Sequence, residues 1–446
     1  MALTGLDIYK LLPRTNCKEC GVPTCLAFAM ALAGKKTSLD KCPHVSEQTK
    51  AALDSASAPP IQLVTVGTGD HKLEIGNETV LYRHEQTFYH PSGIAVEIAD
   101  NQPVPEIAKQ AKHIQSMEFD RVGKKVRIDL IAVRDKSNNP DTFANAVKTV
   151  SAASLLPMVL VSANPQVIEA GAKIAASRRP LLYGANPQNW QTMTDIAKKY
   201  NCPLGVTASN LDELAGLTPK IAAAGIKELV INPNPANTRQ LLSDITQIRR
   251  LAVKSNFRAL GYPVIAFSPK NLTTHEESLF AATFIAKYAG IIVIKNQNLW
   301  QMLPLVTIRQ NIYTDPQKPI QIESKIYTVG AVTDASPVII TTNFSLTYYT
   351  VAPEVEASKV PAYIVVVNTE GMSVLTAYSA DKFNEKIIAK TINDCQIAQK
   401  VRHKKVIIPG YVAILSGKLE AESGWQVMVG PREASEIPSY LKNVWK

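Results

Sequence analysis

Eight short β-branched runs, each followed by a polar turn and a stretch of helical periodicity, fill the middle of the chain and constrain its fold more than any other feature. They are Ile94 to Ile98, Val126 to Val133, Met158 to Val161, Pro180 to Tyr183, Pro203 to Val206, Glu228 to Ile231, Val264 to Phe267 and Gly290 to Ile294. The helical stretches run from Val104 to Met117 through to Trp300 to Asn311. A continuous apolar run reads as a strand buried on both faces, and parallel strands need a crossover helix between them. Eight such units predict a (β/α)8 barrel, with an open sheet of nine layers as the alternative.

The turns after these strands are rich in Asn-Pro pairs, at Asn139, Asn164, Asn186, Asn232 and Asn234, with Asn210 and Asn296 nearby. Asn caps free N–H groups at a helix start and Pro suits the first helical position, so helix initiation accounts for most of the pattern. The competing reading is a ring of amides that binds a polar heterocycle such as a pterin at the barrel mouth. The scattered Asp100, Asp135 and Lys295 give that reading little catalytic chemistry.

The flanks differ from the middle. Residues 1–57 offer two short helices, Leu6 to Leu12 and Thr24 to Ala33, too little to hold a unit together by burial alone. Ser55-Ala-Ser-Ala-Pro-Pro60 reads as a linker, and Gln62 to Val66 with Glu78 to Tyr82 as a hairpin or small lid. The barrel is assigned to 58–324 and a third domain to 325–446. There the alternation restarts with strands Val338 to Thr342, Ala362 to Asn368, Lys405 to Ile408 and Gln426 to Val429. The helices are Leu346 to Ala357, Ser373 to Asn393, Val412 to Glu422 and one near Ile437 to Val444, which together predict an open doubly wound sheet.

The chemistry begins with Cys17-x2-Cys20-x4-Cys25-x16-Cys42-Pro43. Four thiolates in a core-poor unit call for a shared metal centre, either a tetrahedral zinc or a [4Fe-4S] cluster. Structural zinc favours two tight pairs. Three cysteines close together, a distant fourth and a following proline match cluster ligation better, and free thiols are the third possibility. Cys202 and Cys395 stand alone, and six cysteines in 446 residues exclude a secreted disulfide scaffold.

In the third domain, Thr341-Thr-Asn-Phe-Ser-Leu-Thr347, Asn368-Thr-Glu-Gly-Met-Ser-Val-Leu-Thr376, Pro409-Gly410-Tyr411 and Gly430-Pro-Arg-Glu433 follow the four strands. All four loops are expected at one crevice at the carboxyl ends. They supply amides, hydroxyls and small residues but no nucleophile and base pair, which suits a large ligand held by many modest contacts.

Charge and targeting narrow the class. The chain has 48 Lys and Arg against 38 Asp and Glu, a net +10 spread through all three parts without a basic stripe. The densest run, Lys400-Val-Arg-His-Lys-Lys405, reads as a solvated loop or docking patch and not as a nucleic-acid surface. No leader pattern opens the chain and no apolar run reaches the roughly 20 residues of a membrane span. A soluble protein of a reducing cytoplasm is expected.

The cysteine spacing, the barrel, and Val338-Ile-Ile-Thr-Thr-Asn-Phe-Ser-Leu-Thr-Tyr348, Asn368 to Thr376 and Val406-Ile-Ile-Pro-Gly410 together resemble the large (gamma) subunits of corrinoid iron-sulfur proteins of the reductive acetyl-CoA pathway, across essentially the whole chain. The resemblance implies a [4Fe-4S] cluster on Cys17, Cys20, Cys25 and Cys42, and a cobamide in the C-terminal domain. Around that ring it suggests Thr341, Thr342, Asn343, Leu346 and Thr347, then Glu370, Gly371, Met372, Ser373, Val374, Leu375 and Thr376, with Gly410, Gly430, Pro431, Arg432 and Glu433. It implies a heterodimer with a small (beta) subunit, and a corrinoid-dependent methyl carrier that serves a methyltetrahydrofolate methyltransferase and acetyl-CoA synthase. The cluster would return an electron whenever Co(I) is oxidised to Co(II).

One departure from other corrinoid domains bears on mechanism. The Asp-x-His-x-x-Gly motif is missing, and the only histidine after residue 325 is His403, inside the basic run. A base-off cobamide with no protein imidazole beneath cobalt is expected, and removing a strong axial donor eases reduction to Co(I). Movement of the terminal domains about Ser55 to Pro60 and about Pro316 to Lys325 is expected to serve the several partners. Two other readings stand beside this one: a pterin-dependent methyltransferase that uses the barrel itself, and a zinc-stapled scaffold.

Overall fold

The computed structural model describes residues 5–33, 37, 41–46, 59–235, 237–315 and 319–445, so residues 55–58 and 316–318 of the two expected linkers lie outside it. All eight expected middle strands form. They span Gly93–Ala99, Leu130–Arg134, Met158–Val161, Leu181–Ala185, Leu204–Thr207, Leu229–Asn232, Val264–Phe267 and Ala289–Ile294 and close in sequence order into a parallel barrel. Gly93–Ala99 pairs with Leu130–Arg134 on one side and with Ala289–Ile294 on the other, which excludes the open sheet. Successive side chains alternate across a strand, so Ala95, Leu130, Ala132, Val159, Val161, Leu181 and Val230 fill the interior while the equally buried Ile94, Val96, Ile131 and Val133 face the helices.

The hairpin expected before the barrel is shifted. Its strands are Val64–Thr68 and His71–Ile75, joined at Gly69 with φ +56°, and residues 78–82 form no strand. Glu78 instead turns inward, where it accepts from the N–H groups of Tyr89 and His90 and faces Arg249 at 3.3 Å. Val64, Val66 and Ile75 join the interior cluster, and Thr65 and Gly67 bond to Glu228 and Arg179 just before two barrel strands. The hairpin therefore plugs the amino end of the barrel.

The chain folds as two compact units, 1–117 with 127–312 and 118–126 with 313–446. This differs from the expected boundary at 324/325, because residues 320–322 already pair with the second unit through Ser345 N–H to Ile320 O and Ile322 N–H to Asn343 O, both 3.0 Å. The run from Val126 to Val133 also divides. Glu118–Arg121 and Lys124–Arg127 make a two-stranded sheet around Val122 and Gly123, both at positive φ, and the barrel strand starts only at Leu130.

In the second unit the strands Val338–Thr342, Ala362–Val367, Lys405–Ile408 and Gln426–Val429 are parallel, in the spatial order second, first, third, fourth. An unforeseen antiparallel strand, Ile326–Val329, covers the edge beside the second. Helices pack on both faces. Val338, Ile340, Val365 and Val406 share one core with Phe383, Ile388 and Leu419, and Ile339, Ile364, Val366 and Ile407 share the other with Val355, Ile437 and Leu441. The single helix expected from Ser373 to Asn393 is two, Val374–Ser379 and Glu385–Asp394. Asp381 adopts φ +57° between them, and Asn384 caps the second by accepting from Ile387 N–H. No helix among the described residues is long and apolar enough to cross a membrane.

Two polar clamps hold the barrel ends. At the amino end Arg309, on the last helix, donates to Ser92 O at 3.0 Å and Arg127 O at 2.7 Å and pairs with Asp129, whose carboxylate also accepts from Ile94 N–H. This joins the last helix to the first two strands across the closing seam. Arg309→Met leaves Asp129 unpaired and should lower stability in urea by about 3–5 kcal/mol, whereas Arg309→Met with Asp129→Leu should recover most of the loss.

At the carboxyl end the buried Glu277 accepts from Ser268 Oγ at 2.6 Å, from the N–H groups of Lys295 and Asn296, and from Asn296 Nδ2 at 2.7 Å. Desolvation pulls its pKa up, but these hydrogen bonds outweigh it and the net shift is downward. A depressed folded pKa contributes stability that is present above the ordinary carboxylate range and is lost as pH falls through the folded value. Glu277→Gln should therefore flatten the loss of stability in acid while costing about 1–3 kcal/mol at neutral pH, as read from denaturant titrations across pH 3–7.

Candidate functional site

The strand order of the second unit reverses between Val338–Thr342 and Lys405–Ile408. The helices that follow these neighbours leave on opposite faces, so a crevice opens beyond their carboxyl ends. It has a volume of about 410 Å³ and is lined by Thr341, Leu346, Thr347, Ser373, Val374, Leu375, Gly430, Pro431, Arg432 and Glu433 from the expected set. Loops after all four strands converge there, because Pro409 and Tyr411 add the third. The floor is apolar, from Ile339, Ile340, Ile407 and Ile408. Tyr411 crosses the mouth and donates to Glu433 at 2.6 Å, which raises the Tyr411 pKa.

At the end of the first strand the hydroxyls of Thr341, Thr342 and Ser345 are buried and have no hydrogen-bond partner among the described residues. An orphaned buried hydroxyl costs about 1–3 kcal/mol. Thr341 faces the crevice, so a ligand with acceptor groups would relieve its share of that cost.

Thr342, Asn343, Glu370, Gly371, Met372, Thr376 and Gly410 do not line the crevice. Asn343 is a lock between two loops. Its Oδ1 accepts from Thr369 N–H at 2.9 Å, Thr369 Oγ1 at 3.0 Å and Gly371 N–H at 2.9 Å, while its Nδ2 donates to Gln321 and Asn368. Glu370 pairs with Lys382, and Met372 packs on the core beneath. Gly410 lies against the next loop so closely that a Cβ would come within 2.6 Å of Gly430 O, which only glycine permits. Phe344 belongs to the expected first loop, and sequence reasoning missed Thr350, Val351, Tyr440 and Leu441. Thr350 and Val351 follow Thr347 by one helical turn and were legible from spacing, whereas the last helix reaches the crevice only through tertiary packing.

The cysteine unit is built from helices Gly5–Leu11 and Cys25–Ala33, with Ile8, Leu12, Phe28 and Ala29 as its small core and Cys20 and Cys42 packed against it. Cys25 is buried at a helix start. Its N–H donates to Asn16 Oδ1 at 2.8 Å and its Sγ accepts from Asn16 N–H at 3.3 Å, a mutual clasp. Asn16, Lys18 and Gly21 all have positive φ, which winds the loop around the cysteines. Among the described residues, the one group of ligating side chains whose donor atoms lie within 4.8 Å of one another is Cys17, Glu19 and His44. The four cysteine sulfurs therefore do not all lie within 4.8 Å of one another. Burial pushes the Cys202 thiol up to about 11, an inert core position, and Cys395 is raised for the same reason.

Three of the seven asparagines singled out, Asn139, Asn164 and Asn210, are helix caps, while Asn232 holds its own turn through Asn234 N–H and Asn296 donates to Glu277. Asn139, Asn164, Asn210 and Asn237 accept from N–H groups in the first turns of their helices, and Asn186 holds its own turn through Gln188 N–H. Asp100 and Asp135 accept from the hydroxyls of Ser137 and Ser162. His403 lies at the amino ends of the C-terminal strands, away from the crevice. One ring nitrogen meets Ser336 O at 2.9 Å, the other accepts from Lys405 N–H at 3.2 Å, and the ring packs on Trp445.

Comparison with known proteins agrees with this anatomy. The model of the CO dehydrogenase/acetyl-CoA synthase delta subunit family matches residues 63–441, and an Fe-S cluster family model matches residues 12–44. The corrinoid/iron-sulfur protein large subunit of Moorella thermoacetica is 47% identical over 442 residues, covering 99% of both chains. Gamma subunits of the acetyl-CoA decarbonylase/synthase complex are 36% identical in Methanothermobacter thermautotrophicus, over 99% of both chains, and 32% identical in Methanocaldococcus jannaschii, over 99% of this chain and 96% of that one. The chain belongs to the family of corrinoid/iron-sulfur protein large subunits and acetyl-CoA decarbonylase/synthase gamma subunits.

Proposed function

We propose that this chain is a cytoplasmic corrinoid methyl carrier that works as a heterodimer with a small (beta) subunit. Its donor is methyltetrahydrofolate, presented by a methyltransferase, and its acceptor is acetyl-CoA synthase. The modules are the N-terminal segment 1–57 for a [4Fe-4S] cluster, the barrel after it, and the C-terminal unit from residue 313 on for a cobamide. The observation that carries the reading is the convergence of all four post-strand loops on one mostly apolar crevice with an orphaned Thr341 hydroxyl at its floor.

A bound cobamide supplies a reduced cobalt that takes up and gives away a methyl group. Ile339, Ile340, Ile407 and Ile408 exclude water from the part of the cofactor that enters, and Thr341 offers it a hydroxyl donor. At about 410 Å³ the crevice takes one portion of so large a molecule. Asn343 fixes the first two loops, so the lining is set before binding. Base-off binding is supported by His403, whose two ring nitrogens already have partners at the opposite end of the strands.

A bound cluster supplies single electrons. Three cysteines close together, a distant fourth and a following proline support it over zinc, and the Asn16 N–H to Cys25 Sγ bond is of the kind that tunes a cluster's potential.

Anaerobically purified protein should show visible absorption from both cofactors. Cys17→Ser or Cys25→Ser should remove the iron-sulfur part and leave corrinoid content unchanged; a colourless protein that contains zinc defeats the proposal. Leu346 and Leu375 are exposed on the crevice lips. Leu346→Trp with Leu375→Trp should cut corrinoid content at least tenfold without changing iron content or the thermal midpoint.

A further inference from the structure

The barrel carries a second cavity, of about 340 Å³, at the carboxyl ends of its strands. Its floor is an aromatic and cationic stack. Tyr183 and Phe267 meet at 4.7 Å between ring centroids, and the Arg134 guanidinium lies 4.9 Å above the Phe267 ring. Arg134 is half-buried and uses only Nε for protein, in a 2.5 Å bond to Glu97, so both terminal amino groups of its fork remain for something else among the described residues. Around the mouth stand Lys136, Lys270 and Lys295. The first two make no side-chain bond among the described residues, and Lys295 donates to Pro269 O at 2.7 Å. The start of the helix Thr238–Ser255 also opens into the cavity, with Asn237 and Thr238 in its wall.

Four cations face one carboxylate that is already paired, so the lining carries a net positive charge. The neighbouring Asp100 and Asp135 are engaged by Lys136 and Ser137 and by Ser162 and do not line the cavity. Much of the wall's amide and hydroxyl capacity is committed within the protein: Asn237 Oδ1 accepts from Gln240 N–H, Asn232 Oδ1 from Asn234 N–H, and Ser268 Oγ donates to Glu277. A planar fork with free N–H pairs, flanked by ammonium groups and a helix start, is the donor set for carboxylate or phosphate. We infer that the barrel top binds a small anion bearing carboxylate or phosphate groups, a site separate from the crevice of the second unit.

The test is calorimetric titration of the full-length protein with citrate and with pyrophosphate at constant ionic strength, the two probes separating a polycarboxylate from a phosphate ligand. Saturable one-site binding of either is expected. Lys136→Ala with Lys270→Ala, both exposed and outside the core, should weaken it at least tenfold, and Lys112→Ala on a barrel helix should leave it unchanged. Absence of saturable binding by both probes, equal affinity in the double variant, or binding of pterin in place of both anions would overturn the inference.

Discussion

A parallel sheet must be covered on both faces, and that requirement organises this chain twice over. In the barrel the sheet closes on itself, so one face is filled by its own side chains and by the hairpin Val64–Thr68/His71–Ile75, and the other by the ring of helices. In the second unit the sheet stays open, and its two faces are covered by separate helix layers built on alternate residues of the same strands. Closure leaves a mouth at one end of the barrel. An open sheet with reversed strand order leaves a crevice between its first and third strands. Both cavities arise from strand polarity, before any particular side chain is considered.

Strand polarity also separates stability from chemistry. The amino end of the barrel carries the closing clamp of Arg309 and Asp129, and the neighbouring loop carries the buried pair of Arg249 and Glu78, with Arg249 beneath Phe88 and Tyr288. These groups are saturated and have nothing left for a ligand. At the carboxyl ends, beside the saturated Glu277 clamp, other groups differ. Thr341 in one unit and the Arg134 fork in the other retain unused hydrogen-bonding capacity.

The strand-helix alternation was legible because doubly buried strands read as unbroken apolar runs and helices as periodic ones. The four loops at the crevice were legible for the same reason, since each follows a recognisable strand. Three features were not. The hairpin at Glu118–Arg127 merged with Leu130–Arg134 because Val126 and Ile128 extend the apolar run, while the positive φ of Val122 is invisible in its identity. The edge strand Ile326–Val329 has no helix of its own to announce it. Asn343 was read as a ligand contact because a polar loop residue looks alike whether it faces a cavity or ties two loops together. Only its five side-chain hydrogen bonds, to four residues, distinguish the two roles.

The small cysteine unit follows a different rule. Its core is a handful of residues on two short helices, so little of its order can come from burial. The Asn16 clasp and the positive-φ positions hold the cysteine loop in shape locally, yet they leave the sulfurs apart. A centre that bridges them would then contribute to folding as well as to redox chemistry. The barrel needs no such help. The basic excess fits this division: it is spread over the whole chain, and the local surplus that matters is the one at the barrel mouth, where Lys136 and Lys270 flank an arginine already fixed by Glu97.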